Sequence, residues 1–310
     1  MPRDRIVVLG TGGTIAGASE APLEHVAYRA GQVAVGQLLQ GIPVPQGWSV
    51  DVEQVAQVDS KDMEPAVWTA LAACCAHWLG REDVAGVVVT HGTDTLEETA
   101  YVLSRLLVAD KPIVLTCAMR PATALSADGP QNILDAFTAV QSPGARGVTV
   151  ACAGKLHAAS DVRKVHPYRL DAFASGDAGP IGFVEAGRLQ RTRDWPVPNV
   201  REGALGAIEA GAGWPWVEIV HSQAGADGRV VRALVREGVR GLVVAATGNG
   251  TVHERLEEAL VAAMAAGVRV VRATRCSEGR LIATADAAVP AHPLTPVKAR
   301  IDLMLDLLAA

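Results

Sequence analysis

Short β-branched runs alternate with amphipathic stretches along most of this chain, and that alternation limits the fold more than any other feature. Residues 5–9, 50–58, 86–90, 112–117 and 147–152 read as strands, while residues 65–79, 96–108 and 128–140 carry apolar side chains at helical spacing. Strands separated by helices are joined by right-handed crossovers, which leaves them parallel in one sheet with helices on both faces. Entry signals agree: Pro65 falls near a first helical turn, and Asp94 with Glu97 has capping-box spacing. The pattern lapses over residues 191–213, where Trp195-Pro196-Val197-Pro198-Asn199 precedes a glycine-rich stretch. It resumes with strands at 217–221, 241–246 and 268–273 and helices at 230–237, 252–265 and 295–308. The expected architecture is α/β and two-lobed, with mostly parallel sheets flanked by helices. A larger N-terminal catalytic domain (1–190) and a smaller C-terminal α/β domain (214–310) are expected to be joined by a linker at 191–213.

Of 310 residues, 49% are hydrophobic but only 4% aromatic, so the cores must be built from aliphatic side chains. A net charge of -5 argues against a broad binding surface for nucleic acid or an anionic membrane and favours a small-molecule partner. No apolar stretch approaches the roughly 20 residues that span a bilayer. Met1-Pro2-Arg3-Asp4 leads directly into a strand, so the expected location is cytoplasmic, or periplasmic if a leader was removed. The five cysteines make neither a disulfide framework nor a zinc spacing, and the eight histidines include no HExxH pattern. Neither a metal nor a cofactor is expected.

Two threonine turns follow strands about eighty residues apart: Gly10-Thr11-Gly12-Gly13-Thr14 and Thr90-His91-Gly92-Thr93-Asp94. In a parallel sheet both would lie on the carboxyl rim, where such folds collect ligands. A hydroxyl is a poor nucleophile at neutral pH, so two of them imply acyl transfer only with a base and an oxyanion site nearby. The glycines of the first turn allow its backbone N–H groups to face a carboxylate or oxyanion. A dinucleotide loop fits less well, because Ile15 stands where GxGxxG needs its third glycine. Asp94 could be a helix cap, a ligand for a substrate ammonium group, or both. His91 reads more simply as a satisfied strand-end histidine than as a catalytic one. Lys164, beyond another strand end, is either an amine acting on a threonine hydroxyl or a solvated loop charge.

Taken together, Thr11-Gly12-Gly13-Thr14-Ile15-Ala16-Gly17, Thr90-His91-Gly92-Thr93-Asp94-Thr95-Leu96-Glu97-Glu98-Thr99-Ala100 and Ala118-Met119-Arg120-Pro121 leading to Ser126-Ala127-Asp128-Gly129-Pro130 resemble the bacterial-type L-asparaginases and glutaminase-asparaginases. Asp161-Val162-Arg163-Lys164 and Leu294-Thr295-Pro296-Val297-Lys298-Ala299-Arg300 extend the likeness over nearly the whole chain. The resemblance implies hydrolysis of L-asparagine to L-aspartate and ammonia through an acyl-enzyme, without cofactor, in a homotetramer of intimate dimers. Weaker glutaminase activity would accompany it. By position, Thr14 resembles the nucleophile and Tyr28 its activating partner, while Thr93, Lys164 and Asp94 resemble a hydroxyl, base and carboxylate triad. Ser60 and Asp94 would hold the substrate's α-carboxylate and α-ammonium groups, and Ala118 would offer its carbonyl to the amide nitrogen. Gly13, Gly92, Thr93 and Lys61 complete the expected substrate-binding set.

Three departures bear on specificity. Lys61 follows the binding serine where relatives often carry glutamine or glutamate; pointing inward it would repel a substrate ammonium, pointing outward it would face solvent. Gly248-Asn249-Gly250-Thr251 ends in threonine where close relatives place a second asparagine. Residues 276–290 are short against the segment that gives a glutamate to a neighbouring subunit, with Glu278 as a stand-in. The cysteine pair of some secreted relatives is missing, Ala109 standing near one of those positions. Alternatives are a same-scaffold amidohydrolase of different amide specificity and a non-catalytic amino-acid sensor.

Overall fold

The structure is a computed structural model that describes residues 3–18, 29–284 and 287–310. Two compact units divide it, Met1–Val200 and Arg201–Ala310. In the first, five strands run parallel in the order β2-β1-β3-β4-β5: β1 (Arg5–Gly12), β2 (Ser49–Val58), β3 (Val84–Thr90), β4 (Ile113–Thr116) and β5 (Val148–Cys152). Strands β6 (Lys155–Ala158), β9 (Gly182–Glu185) and β10 (Arg188–Arg191) extend the sheet antiparallel beyond β5, while β7 (Arg163–Lys164) and β8 (Phe173–Ala174) pair apart from it.

The helices are α1 (Val35–Leu38), α2 (Pro65–Leu79), α3 (Leu96–Leu106) and α4 (Gly129–Gln141). Successive strand side chains face opposite sides. Ile6, Val8, Val88 and Val114 accordingly join Ile133, Ala136 and Phe137 of α4 in one core layer. Val7, Leu9, Val87 and Val89 are equally buried, on the other face. Each such aliphatic side chain contributes roughly 1.5–3 kcal/mol by leaving water. Burial on both faces explains why these strands read as continuous apolar runs.

The second unit holds a parallel sheet, β11 (Val217–His221), β12 (Gly241–Ala246) and β13 (Arg269–Thr274), with α5 (Ala204–Glu209), α6 (Arg229–Arg236), α7 (Glu254–Ala265) and α8 (Pro296–Leu308). Leu256 and Leu260 of α7 cover Leu242 and Val244, while Leu303 and Met304 of α8 cover Val217 and Val243. Within the stretch expected to be a connection, Trp195 is buried in the core of the first unit and α5 packs on α8 in the second. Among the described residues, no helix is long and apolar enough to cross a membrane.

Strand order positions the site. The chain leaves β1 for β2 on one side, then returns past β1 to β3 and continues through β4 to β5. Connections therefore diverge between the carboxyl ends of β1 and β3, which opens a crevice where open α/β sheets bind ligands. Those two ends carry the two threonine turns.

Candidate active site

The turns touch backbone to backbone. Gly12 and Gly13 have φ of 103° and 81°, and a Cβ on Gly13 would lie 2.1 Å from the Gly92 Cα, so no side chain fits there. Thr11 Oγ1 donates to the Thr90 carbonyl at 2.9 Å, and Gly13 N–H donates to Val58 O at 2.9 Å. Thr14 and Thr93, each next in sequence to one of the touching glycines, are both 5% exposed. Thr14 opens a 3-10 turn, Thr14–Ala16.

Ser60, 2% exposed in the turn after β2, accepts the Asp94 N–H at 3.2 Å and receives the Thr95 hydroxyl on its carbonyl at 2.7 Å. A Cβ on Gly92 would stand 2.4 Å from Ser60 Oγ, so that serine sits against the second turn as well. Lys164 of β7 brings its amine 2.8 Å from Thr93 Oγ1 and 2.6 Å from Asp94 Oδ1. Its backbone N–H donates to Glu97 at 3.2 Å. Thr93, Asp94 and Lys164 thus form one hydrogen-bonded cluster, with Lys164 bound to the turn instead of solvated in a loop.

Asp94 does not cap α3. The cap position is Thr95, without a side-chain capping bond, and Glu97 serves the Lys164 backbone instead of closing a capping box. The Lys164 ammonium offers the Asp94 carboxylate a full opposite charge at 2.6 Å, where a cap would offer only a backbone N–H. Lys61 turns to Asp62, with Asp59 at 3.9 Å and its side chain 60% exposed, and Asp62 pushes its pKa up. Tyr28 lies outside the described residues.

His91 takes the satisfied role. Its Nδ1 lies 2.7 Å from the Gly92 carbonyl, an acceptor, so that nitrogen carries the proton. Nε2 then accepts the Thr99 hydroxyl at 2.9 Å, and Thr99 accepts the Trp68 N–H at 2.9 Å. Burial holds the ring neutral, with its pKa pushed down to about 4.

Ala118 follows β4, 1% exposed. Gly129, the first residue of α4, is wedged between it and the first turn: a Cβ there would be 3.0 Å from Ile15 Cγ1 and 3.5 Å from Ala118 Cβ. Asp128 accepts the Met119 and Arg120 N–H groups at 2.9 and 3.0 Å, and Asn132 donates to the Cys117 carbonyl at 2.9 Å. Sequence reasoning quoted Asp128 only as part of a motif and missed Asn132; their i, i+4 spacing at a helix start was the available signal. Cys117 and Cys152 are buried and meet with their sulfurs 3.8 Å apart, both as free thiols.

In the second unit the 248–251 turn is closed on itself. Thr247 and Thr251 exchange bonds, Arg272 and Thr274 hold the Gly250 and Gly248 carbonyls at 2.6 and 2.7 Å, and Asn249 pairs with the Ile282 backbone. Glu278 is exposed.

Fold and site together define an α/β protein whose topological switch point gathers two threonine turns, a serine and a lysine–carboxylate pair, an arrangement suited to acyl transfer. Residues 5–196 match the asparaginase N-terminal domain and residues 216–309 the glutaminase/asparaginase C-terminal domain, so the chain belongs to the asparaginase family of enzymes. It is 34% identical to L-asparaginase 2 of Bacillus subtilis over 97% of this chain and 82% of that protein. It is 35% identical to the glutaminase-asparaginase of Pseudomonas fluorescens over 97% of this chain and 86% of that one. The crystal structure of a probable cytoplasmic L-asparaginase from Campylobacter jejuni superposes with a TM-score of 0.91 at 34% identity, covering 99% of this chain and 95% of that one.

Proposed function

We propose that this protein hydrolyses L-asparagine to L-aspartate and ammonia through a threonine acyl-enzyme, with weaker action on L-glutamine. The observation that carries the reading is the contact of Lys164 with both Thr93 and Asp94 beside the turn that bears Thr14. Thr14 is the nucleophile, with Tyr28 its activating partner. Deprotonated, Lys164 takes the Thr93 proton and keeps an N–H on Asp94, so Thr93 can relay protons to and from the reacting centre. Ser60 and Asp94 bind the α-carboxylate and α-ammonium groups, Gly13 and Gly92 border the substrate while letting the two turns pack against each other, and Ala118 receives the amide nitrogen. Lys61 stays with Asp62 and contributes through its charge at the rim.

Thr14→Ala, Thr93→Ala and Lys164→Met should each lower asparagine kcat/KM by at least about 10^3-fold while the fold persists. Intact-mass analysis after rapid quenching should find the acyl adduct on Thr14 in the parent enzyme. Normal ammonia release by Thr14→Ala and Thr93→Ala would end the reading, and aspartate binding without any turnover in the parent would favour a sensor. One extra methylene costs roughly 10- to 200-fold in a passive pocket, so glutamine turnover within that range below asparagine is expected. The active form is a homotetramer of intimate dimers. Five free thiols fit a reducing, cytoplasmic compartment.

A further inference from the structure

We propose that Asp128 is a positioning residue for amide turnover, aiming and polarising the Ala118 carbonyl through the other end of the same peptide group. The role rests on the reading above in one respect, that Ala118 faces the substrate amide. The Ala118 carbonyl and the Met119 N–H belong to one planar trans peptide, so they point in opposite directions. Asp128 Oδ2 binds that N–H at 2.9 Å, which turns the Ala118 oxygen away from α4. Its other oxygen takes the Arg120 N–H at 3.0 Å, while the Arg120 guanidinium is engaged by Ser126 at 2.6 and 2.9 Å. Each carboxylate oxygen is therefore engaged by a backbone N–H, and Oδ2 also accepts from the Asn132 side chain.

The peptide before Ala118 is pinned too. Asn132, one helical turn on from Asp128 and 2% exposed, donates to Cys117 O at 2.9 Å and to Asp128 at 3.3 Å, and accepts the Ala153 N–H at 3.0 Å. Ala118 thus stands between two peptide groups, one held by Asp128 at the entry to α4 and the other by Asn132 in its first turn. A carboxylate accepting from a peptide N–H also draws electron density toward the carbonyl oxygen at the far end, because linked hydrogen bonds polarise one another. The result is a stronger, fixed acceptor for the N–H of a primary amide. As the scissile C–N bond breaks and its nitrogen takes up a proton, the departing ammonia keeps the same hydrogen bond; no bond to the Ala118 oxygen is made or broken.

The test compares two substrates of the full-length protein, L-asparagine and the β-methyl ester of L-aspartate. Both carry the same α groups and acyl carbon, but the ester has no N–H to present to Ala118. Asp128→Asn retains one acceptor oxygen for two N–H groups, and loss of alignment should reduce kcat for the amide by roughly 10- to 100-fold with KM little changed. Ester turnover should stay close to that of the parent. A merely structural role would slow both substrates by the same factor, and that result, or no loss on either, overturns the proposal. Thermal unfolding monitors the fold; if Asp128→Asn does not fold, Asp128→Ser is read by the same amide-to-ester ratio. A parent protein that turns over neither substrate overturns the functional reading and the positioning role with it, whereas equal slowing in an active protein removes only the role of Asp128.

Discussion

His91 is fully buried with both ring nitrogens bound, and burial pushes its pKa down to about 4 against roughly 6.5 in an unfolded chain. Between those values the unfolded chain binds one proton more than the native one, so stability rises with pH across the window. The contribution is complete above the unfolded pKa and is lost as pH falls toward 4, to a total of about 3 kcal/mol. Urea unfolding at pH 7.5 and 4.5 should show that difference, and His91→Gln should flatten it; equal slopes in the two proteins would contradict the assignment. How the turn residues would be used was only partly legible. Capping preference made Asp94 a plausible cap, yet its carboxylate lies on Lys164, 70 positions along the chain. No local spacing reports such a contact, so the link between Lys164 and Thr93 rested on family resemblance. By contrast His91, with polar strand-end neighbours, was read correctly from local character alone.

Among the elements, the central strands β1, β3 and β4 were legible because burial on both faces leaves an unbroken apolar run, and α2 began at Pro65 as expected. The antiparallel extension was not. Strands β6, β9 and β10 are four residues each, and the two-residue turns β5–β6 and β9–β10 are Ala153-Gly154 and Ala186-Gly187, without the Asn-Gly or Asp-Gly that marks such hairpins. Both alanines nonetheless have positive φ, 50° and 49°, a conformation in which a β-carbon is disfavoured and asparagine is better tolerated. Ala186 is exposed, so a larger polar side chain meets no packing obstacle there. Ala186→Asn should therefore stabilise the protein by roughly 0.5–1 kcal/mol, read as a rise in the denaturant midpoint at unchanged slope. A fall in the midpoint would mean that φ at this turn does not limit stability.

For the whole molecule, alternation in the sequence was enough to indicate an α/β chain with two lobes, but strand order is not a local property. That β1 is flanked by β2 and β3, and so that both threonine turns border one crevice, required the assembled sheet. On the surface, Leu125 is 81% exposed, Tyr168 73%, Val197 77% and Ile282 74%. Apolar side chains scattered singly on a surface need no explanation, so the proposed tetramer stands on the family likeness and not on these four residues. Subunits of this family joined through apolar contact would be weakly sensitive to salt, unlike association through surface charge, which is screened within about 10 Å at 0.1 M. The proposed tetramer should therefore sediment as four chains at micromolar concentration in both low and high salt. If each site needs a neighbour, specific activity should fall on dilution in step with loss of the four-chain species. A single-chain boundary with full activity would reverse the assembly proposal and leave the chemistry to one chain alone.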